Sequence, residues 1–193
     1  MSVRDFIVRP ITRQEAGAII EEWHYSHSIN GLMSEYCFGL FDKDTLIGSM
    51  IFGKPAMANQ WKKYAETADD LLELRRLACI DDTPRNTESY FIGRCLRWLQ
   101  LNTKVKVIVS YADSNYGHSG IIYKASNFKY NGLTAKGRVI VYNGKKYHDK
   151  AIRTKYKGNL KPFAQRLKDA LEAGLAEYVV QQPKHIYTYQ LRS

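Results

Sequence analysis

Cysteine, proline and acid are scarce in this 193-residue chain, which has three Cys, five Pro and 19 Asp plus Glu against 29 Lys plus Arg. Cys37, Cys79 and Cys95 stand far apart, and none belongs to the short-spaced pairs that zinc sites use. They read as free buried thiols, not as a disulfide framework. No His-Glu-x-x-His pattern occurs, so hydrolytic zinc chemistry has no support. No apolar run resembling a signal or membrane segment follows Met1, which leads to the expectation of a cytoplasmic protein with no membrane partner. Internal repeats and low-complexity linkers are missing too, which favours a single domain over residues 1–193 with a basic extension over 133–193.

What is present is an apolar fraction of 45%, enough to fill a sizeable core, and a formal net charge of +10. From Lys129 to Lys168 there are twelve Lys or Arg and one acid, Asp149, with Tyr130, Tyr142, Tyr147 and Tyr156 interleaved. Cations suit phosphates and aromatic faces suit bases or sugars, so this mixture points to nucleic acid. A solvated surface that keeps the protein soluble is the plain alternative.

The pattern along the chain predicts a mixed α/β sheet covered by helices on both faces. Phe6 to Pro10 reads as a strand, and Thr12 caps a helix with Glu15 in the capping-box position and Ile19, Ile20 and Trp23 on its apolar face. Strands follow at Tyr36–Phe41 and Leu46–Phe52, joined through Asp42-Lys43-Asp44. Residues 55–70 lack periodicity and read as a lid with a helical turn near Trp61 to Tyr64. Leu71–Ile80 reads as a strand, and Phe91, Ile92, Cys95, Leu96 and Leu99 mark one face of a helix starting near Thr87. The β-branched run Val105–Val109 predicts a buried central strand. Beyond it come a helix over 119–125, strands near Phe128 and Val139–Tyr142, a turn at Asn143-Gly144, and a helix opened by Pro162.

Three groups of residues carry chemistry. Pro84-Arg85-Asn86-Thr87-Glu88-Ser89 joins a strand to a helix, where the first amides and the helix dipole accept an anion; Arg85 and Ser89 can add contacts, although no Gly-rich turn is present. Glu73, Arg75 and Arg76 interrupt an apolar strand, and strict alternation puts Glu73 and Arg75 on one face and Arg76 on the other. Asp113 follows the central strand at its carboxyl end, a favoured ligand address, and Tyr123 and His24 can turn toward the same mouth. His24, Asp113 and Tyr123 can hold a metal such as iron or run proton transfer. Each also has a structural reading: Asp113 as a turn cap, His24 in a hydrogen-bond network with Tyr25, and Tyr123 as a half-buried aromatic.

Leu74-Arg75-Arg76-Leu77, Pro84 to Ser89, Ser110-Tyr111-Ala112-Asp113, Gly120 to Phe128 and His24-Tyr25-Ser26 together resemble the Mom family of bacteriophage DNA adenine modification proteins. That family is itself similar to the GNAT acetyltransferase superfamily, and the fold implied is a GNAT-like mixed central sheet. The resemblance covers about Phe6 to Gly132. It implies transfer of a carbamoylmethyl group to the exocyclic amine of adenine in phage DNA, protecting that DNA from host restriction in the infected cell. By motif, His24, Tyr25, Asp113 and Tyr123 form the implied active-site group, with iron on His24, Asp113 and Tyr123. Arg76 and Ser89 are the positions linked to a coenzyme-A-like donor, or to an unidentified carbamoylmethyl donor, and Arg85 lies on the same anion-binding turn. Double-stranded DNA is the implied partner, a homodimer is the assembly to consider, and Trp61 and Tyr64 are candidates for stacking on a flipped base. The competing readings are an acyltransferase acting on a small-molecule or protein amine, and a non-catalytic DNA-binding protein.

Overall fold

Strand β1 (Ile7–Pro10) leads into helix α1 (Arg13–Trp23), and the computed structural model, which describes residues 2–57 and 59–192, shows why the helix starts there. The Thr12 hydroxyl accepts from the Glu15 amide at 3.2 Å while the Glu15 carboxylate accepts from the Thr12 amide at 2.7 Å, closing the capping box that the sequence predicts. Next come β2 (Tyr36–Asp42), β3 (Thr45–Gly53), β4 (Leu71–Cys79), α2 (Thr87–Asn102), β5 (Val107–Ala112), α3 (Ile121–Ala125) and β6 (Lys129–Leu133). Then follow β7 (Gly137–Tyr142), β8 (Lys145–His148), β9 (Lys155–Tyr156), β10 (Asn159–Leu160), α4 (Pro162–Glu172), β11 (Ala176–Gln181) and β12 (His185–Gln190). Among the described residues no helix is long and apolar enough to cross a membrane.

The chain divides into two compact units. The first holds the residues up to Ala112, His118–Gly132 and those from His185 on; the second holds Asp113–Gly117 and Leu133–Lys184. The basic run beginning near residue 133 is therefore split, because its last strand rejoins the first unit. Neither β11 nor β12 is predicted by the sequence pattern.

The first unit is built on a seven-stranded sheet in the order β1-β2-β3-β4-β5-β12-β6. Its β4–β5 pair is parallel, and β12 pairs antiparallel with β5 from His185 opposite Ala112 to Gln190 opposite Val107. On one face Phe38, Leu40, Met50, Phe52, Leu72, Leu74 and Ile108 pack against Phe91, Ile92, Cys95, Leu96 and Leu99 of α2. Each of these large apolar side chains contributes roughly 2 kcal/mol by leaving water, and Phe91→Ala is expected to cost about 4 kcal/mol. On the other face Ala16, Ile19 and Ile20 of α1 cover Cys37, Ile51 and Ala78, while Trp61, Tyr64 and Ala65 pack with Leu71, Val107 and Val109. The sheet is mixed and covered on both faces, as the pattern predicts.

Gly120, with φ +79°, lies flat beneath the ring of Tyr187, where any Cβ would collide with it. The Tyr187 hydroxyl donates to the Ser119 carbonyl at 2.7 Å, tying β12 to the turn before α3.

In the second unit an antiparallel sheet in the order β11-β7-β8 packs Ile140 and Ala176 against Leu167 and Ala170 of α4. Pro162 occupies the start of that helix, where its missing N–H costs nothing. Asn143 and Gly144 turn β7 into β8 with φ of 48° and 72°. Strands β9 and β10 form a separate two-stranded ribbon around Lys157 and Gly158, both at positive φ.

Candidate active site

The decisive local feature is a bulge in β4. Ile51 pairs with Arg76 and Phe52 with Leu74, so Arg75 is the extra residue between them. Before it Leu72 and Leu74 face α2; after it Leu77 and Cys79 do. The alternation thus flips by one residue, and Arg76 moves to the face that carries Glu73, correcting the expectation that the two point apart. Glu73 and Arg75 form an ion pair, Oε1 to Nε 3.7 Å, with side chains only 14% and 13% exposed. The Arg75 guanidinium also donates to the Lys54 carbonyl at 2.9 Å, and that of Arg76 to the Arg75 carbonyl at 2.8 Å. The Arg76 Nε is buried with no hydrogen-bond partner among the described residues.

Strand β5 pairs with β4 only from Leu71–Val107 to Leu74–Ser110, although β4 runs on to Cys79. The two strands part at the rung where the Ser110 hydroxyl donates to the Leu74 carbonyl at 3.3 Å. Tyr123 from α3 comes to this rung, near enough to Ser110 for that hydroxyl to favour its ionised form. Its ring packs 5.5 Å from Phe128 and 5.3 Å from Tyr187. Burial pushes its phenol up to about 12, against the opposing effect of the Ser110 hydroxyl.

His24 ends α1 and is buried, 7% exposed. The Ser26 amide donates to its Nδ1 at 3.0 Å, and the Ser26 hydroxyl lies 2.8 Å from the same atom. An amide can only donate, so Nδ1 is the acceptor and the proton of the neutral ring sits on Nε2. Burial, then the positive charge of Arg76, pulls the imidazole down to about 4, keeping it neutral near pH 7. Tyr25 packs between two imidazoles, its centroid 4.1 Å from His24 and 5.2 Å from His118, and remains 38% exposed. Its phenol is electrostatically coupled to both Arg76 and Tyr123. His24, Tyr25, Arg76 and Tyr123 all belong to the first unit.

Asp113 belongs to the second unit and is tied up within it. Oδ2 meets Lys184 Nζ at 2.7 Å, and Oδ1 accepts from the Asn115 amide at 3.0 Å and its Nδ2 at 2.8 Å. These bonds hold the carboxyl below its usual range although burial alone would raise it. Among the described residues no three His, Cys, Asp or Glu side chains are grouped to hold a metal. Both Asp113 oxygens and His24 Nδ1 already have partners. Nothing in this arrangement supports the iron site that the resemblance implies.

At the amino end of α2, Asn86 takes the left-handed conformation, φ +71°, supplying without glycine the turn that opens the helix. The Ser89 hydroxyl donates to the Asn86 carbonyl at 3.0 Å and Arg85 is exposed. The supposed lid residues Trp61 and Tyr64 are half-buried in the cluster with Leu71, Val107 and Val109. Tyr25 is the exposed ring on the polar face instead. The sequence marks Glu73 and Arg75 as charges that interrupt an apolar strand but not as neighbours of His24, because the bulge that turns Arg76 to their face has no signature in a single sequence.

The sequence model of the Mom protein family matches residues 5–193. The chain belongs to the Mom family. Over 126 residues it is 30% identical to the methylcarbamoylase Mom of Escherichia phage Mu, covering 63% of this chain and 52% of that protein, so the chain spans about half the length of that relative. Among solved structures it resembles a Bacillus subtilis acetyltransferase in complex with CoA, with a TM-score of 0.53, 11% identity and 97% and 98% of the two chains covered. A GNAT family acetyltransferase from Elizabethkingia anophelis with acetyl-CoA bound gives 0.54 at 9% identity, covering 96% and 98%. The ribosomal-protein-S18-alanine N-acetyltransferase of Escherichia coli gives 0.53 at 10%, covering 97% and 95%. The fold of this Mom family member is that of the GNAT acetyltransferases.

Proposed function

We propose that this Mom family protein is a DNA-modifying transferase that places a carbamoylmethyl group on the exocyclic amine of adenine. The observation that carries this reading is family membership over residues 5–193. The parting of β4 from β5 beside a face bearing His24, Tyr25, Glu73 and Arg76 supports it with a place for the chemistry.

The CoA and acetyl-CoA bound by structural neighbours support a coenzyme-A-type donor, although Glu88 in the first turn of α2 opposes a pyrophosphate there. The donor's elongated arm suits the gap where β4 and β5 part, and its phosphates suit the amino end of α2 behind the left-handed Asn86, with Arg85 and Ser89 nearby in sequence. Such a donor supplies the electrophilic carbon. With the carbamoylmethyl group carried on the donor's sulfur, the adenine amine attacks its methylene carbon to form the N–C bond, the C–S bond breaks with its electron pair going to the departing thiolate, and the amine's proton passes to solvent. His24, neutral and protonated on Nε2, serves as a hydrogen-bond donor and not as the base. Arg76 places fixed positive charge on the same face, where negative charge develops on the leaving group. Tyr123, protonated at neutral pH, can deliver a proton at the parting of the strands. Tyr25 offers an exposed ring on which a flipped base can stack.

The test is mass spectrometry of nucleosides from duplex DNA incubated with the folded protein and host extract as donor source. A carbamoylmethyl-adenine peak, abolished in Tyr123→Phe and Arg76→Ala, is the expected outcome. Unmodified adenine together with acetyl transfer from acetyl-CoA to a small or protein amine would establish the acyltransferase reading in its place.

A further inference from the structure

We infer that residues 133–161 form the surface that grips duplex DNA, with the β9–β10 ribbon as the element that enters a groove; this rests on the DNA-modifying reading above. The second unit carries twelve Lys or Arg against five Asp or Glu, but the charge is polarised along it. Residues 133–161 hold nine of the cations and one acid, whereas residues 162–184, which supply α4 and β11, hold three of each. The lone acid, Asp149, is paired from within: its carboxylate meets Arg138 Nε at 3.7 Å. It therefore presents little repulsion to an approaching phosphate. Among the described residues, Lys145, Lys146, Lys150, Lys155, Lys157 and Lys161 are all exposed and none has an acidic partner within 4.0 Å.

The backbone presents these cations on two tight hairpins. The Asn143-Gly144 turn is followed at once by Lys145 and Lys146, and the Lys157-Gly158 turn stands between Lys155-Tyr156 and Asn159-Leu160. The second hairpin pairs with no other strand. It is closed at its base by the Lys161 amide donating to the Thr154 carbonyl at 2.8 Å. A free two-stranded ribbon is of a width that the DNA major groove admits. Tyr156 near its tip is 64% exposed, with the Lys157 ammonium 5.5 Å from its ring centroid. An aromatic this exposed gains nothing for the fold. Beside unneutralised lysines it supplies a flat face to a sugar or base while the ammonium groups meet phosphates.

The experiment is fluorescence anisotropy of a labelled 20-base-pair duplex with the full chain over a range of salt. Each lost phosphate contact lowers the slope of log affinity against log salt by about 0.9. Lys155→Ala with Lys157→Ala is expected to lower it by about 2 and weaken binding at least tenfold. Tyr156→Ala weakens binding severalfold with the slope unchanged. Lys62→Ala with Lys63→Ala, an equal loss of exposed charge in the first unit, leaves the slope within about 0.5 of the parent. Circular dichroism confirms that each variant is folded. Equal losses in both lysine pairs, or none in the first, overturn the inference, as does an effect seen on single strands and not on duplex. Adenine adducts formed by a variant of undiminished affinity would remove this surface while leaving the modifying reading intact. Localised binding with no adduct from the parent protein would do the reverse.

Discussion

On strand β4 of the first unit charge is taken inside; along the hairpins of the second unit it is left in water. Glu73 and Arg75 are nearly buried on β4, with Arg76 and the neutral His24 beside them. In the second unit the hairpin cations stand exposed, and the Lys168–Glu172 pair at 3.8 Å is largely solvated, the buried Asp113 carboxylate being the exception. Buried charges need their partners to remain tolerable, so they fix geometry at the expense of stability. Solvated charges do almost nothing for stability and act on whatever polyanion approaches. The same elementary charge thus does positioning work in one region and long-range attraction in the other.

The contrast breaks most visibly on removal of one partner from each. Glu73→Ala leaves Arg75 buried without its counter-charge and is expected to cost about 3 kcal/mol in urea unfolding, whereas Lys145→Ala with Lys146→Ala leaves the urea midpoint unchanged. Similar losses in both would erase the distinction. The next effect is in pH. The folded His24 titrates at about 4 and the unfolded ring near its ordinary 6.5, so only the unfolded state takes up the proton between these values. The His24 contribution is complete above pH 6.5 and is lost as pH falls toward 4, amounting to about 2 kcal/mol at pH 5. Urea titrations at pH 7 and pH 5 should show that loss, and His24→Asn, which keeps an acceptor for the Ser26 amide, should remove it. Tyr187→Phe deletes the hydroxyl that binds the Ser119 carbonyl and is expected to cost about 1 kcal/mol. Smallest is Asn86→Gly, which relieves the left-handed residue and should raise stability by less than about 1 kcal/mol; a fall in melting temperature would show that the Asn86 side chain has a part unseen here.

Local chemistry made much of the fold legible. The Thr12–Glu15 box, Pro162, the Asn143-Gly144 turn and the β-branched run into β5 each carry their own signal, and each is found where the pattern put it. Strand β12 carried none, because His185-Ile186-Tyr187-Thr188-Tyr189-Gln190 becomes a strand by pairing with β5, more than seventy residues earlier. The bulge at Arg75 is likewise a property of two strands together. Trp61 and Tyr64 read as lid aromatics because nothing local says that Leu71 and Val109 lie beneath them. At the site, His24, Tyr25, Arg76 and Tyr123 were recognisable from motifs. Their proton states were not, since these depend on burial and on partners such as Ser26 and Ser110.

The position of β12 between β5 and β6 has a consequence for synthesis. As the chain leaves the ribosome, the open edge of β5 has no neighbour until the whole of residues 133–184 has been made. That edge is hydrophobic and central, and an unpaired one invites association with other nascent chains. Closure of the sheet is therefore the late, slow event of biogenesis, coupling completion of the first unit to completion of the basic region that precedes β12.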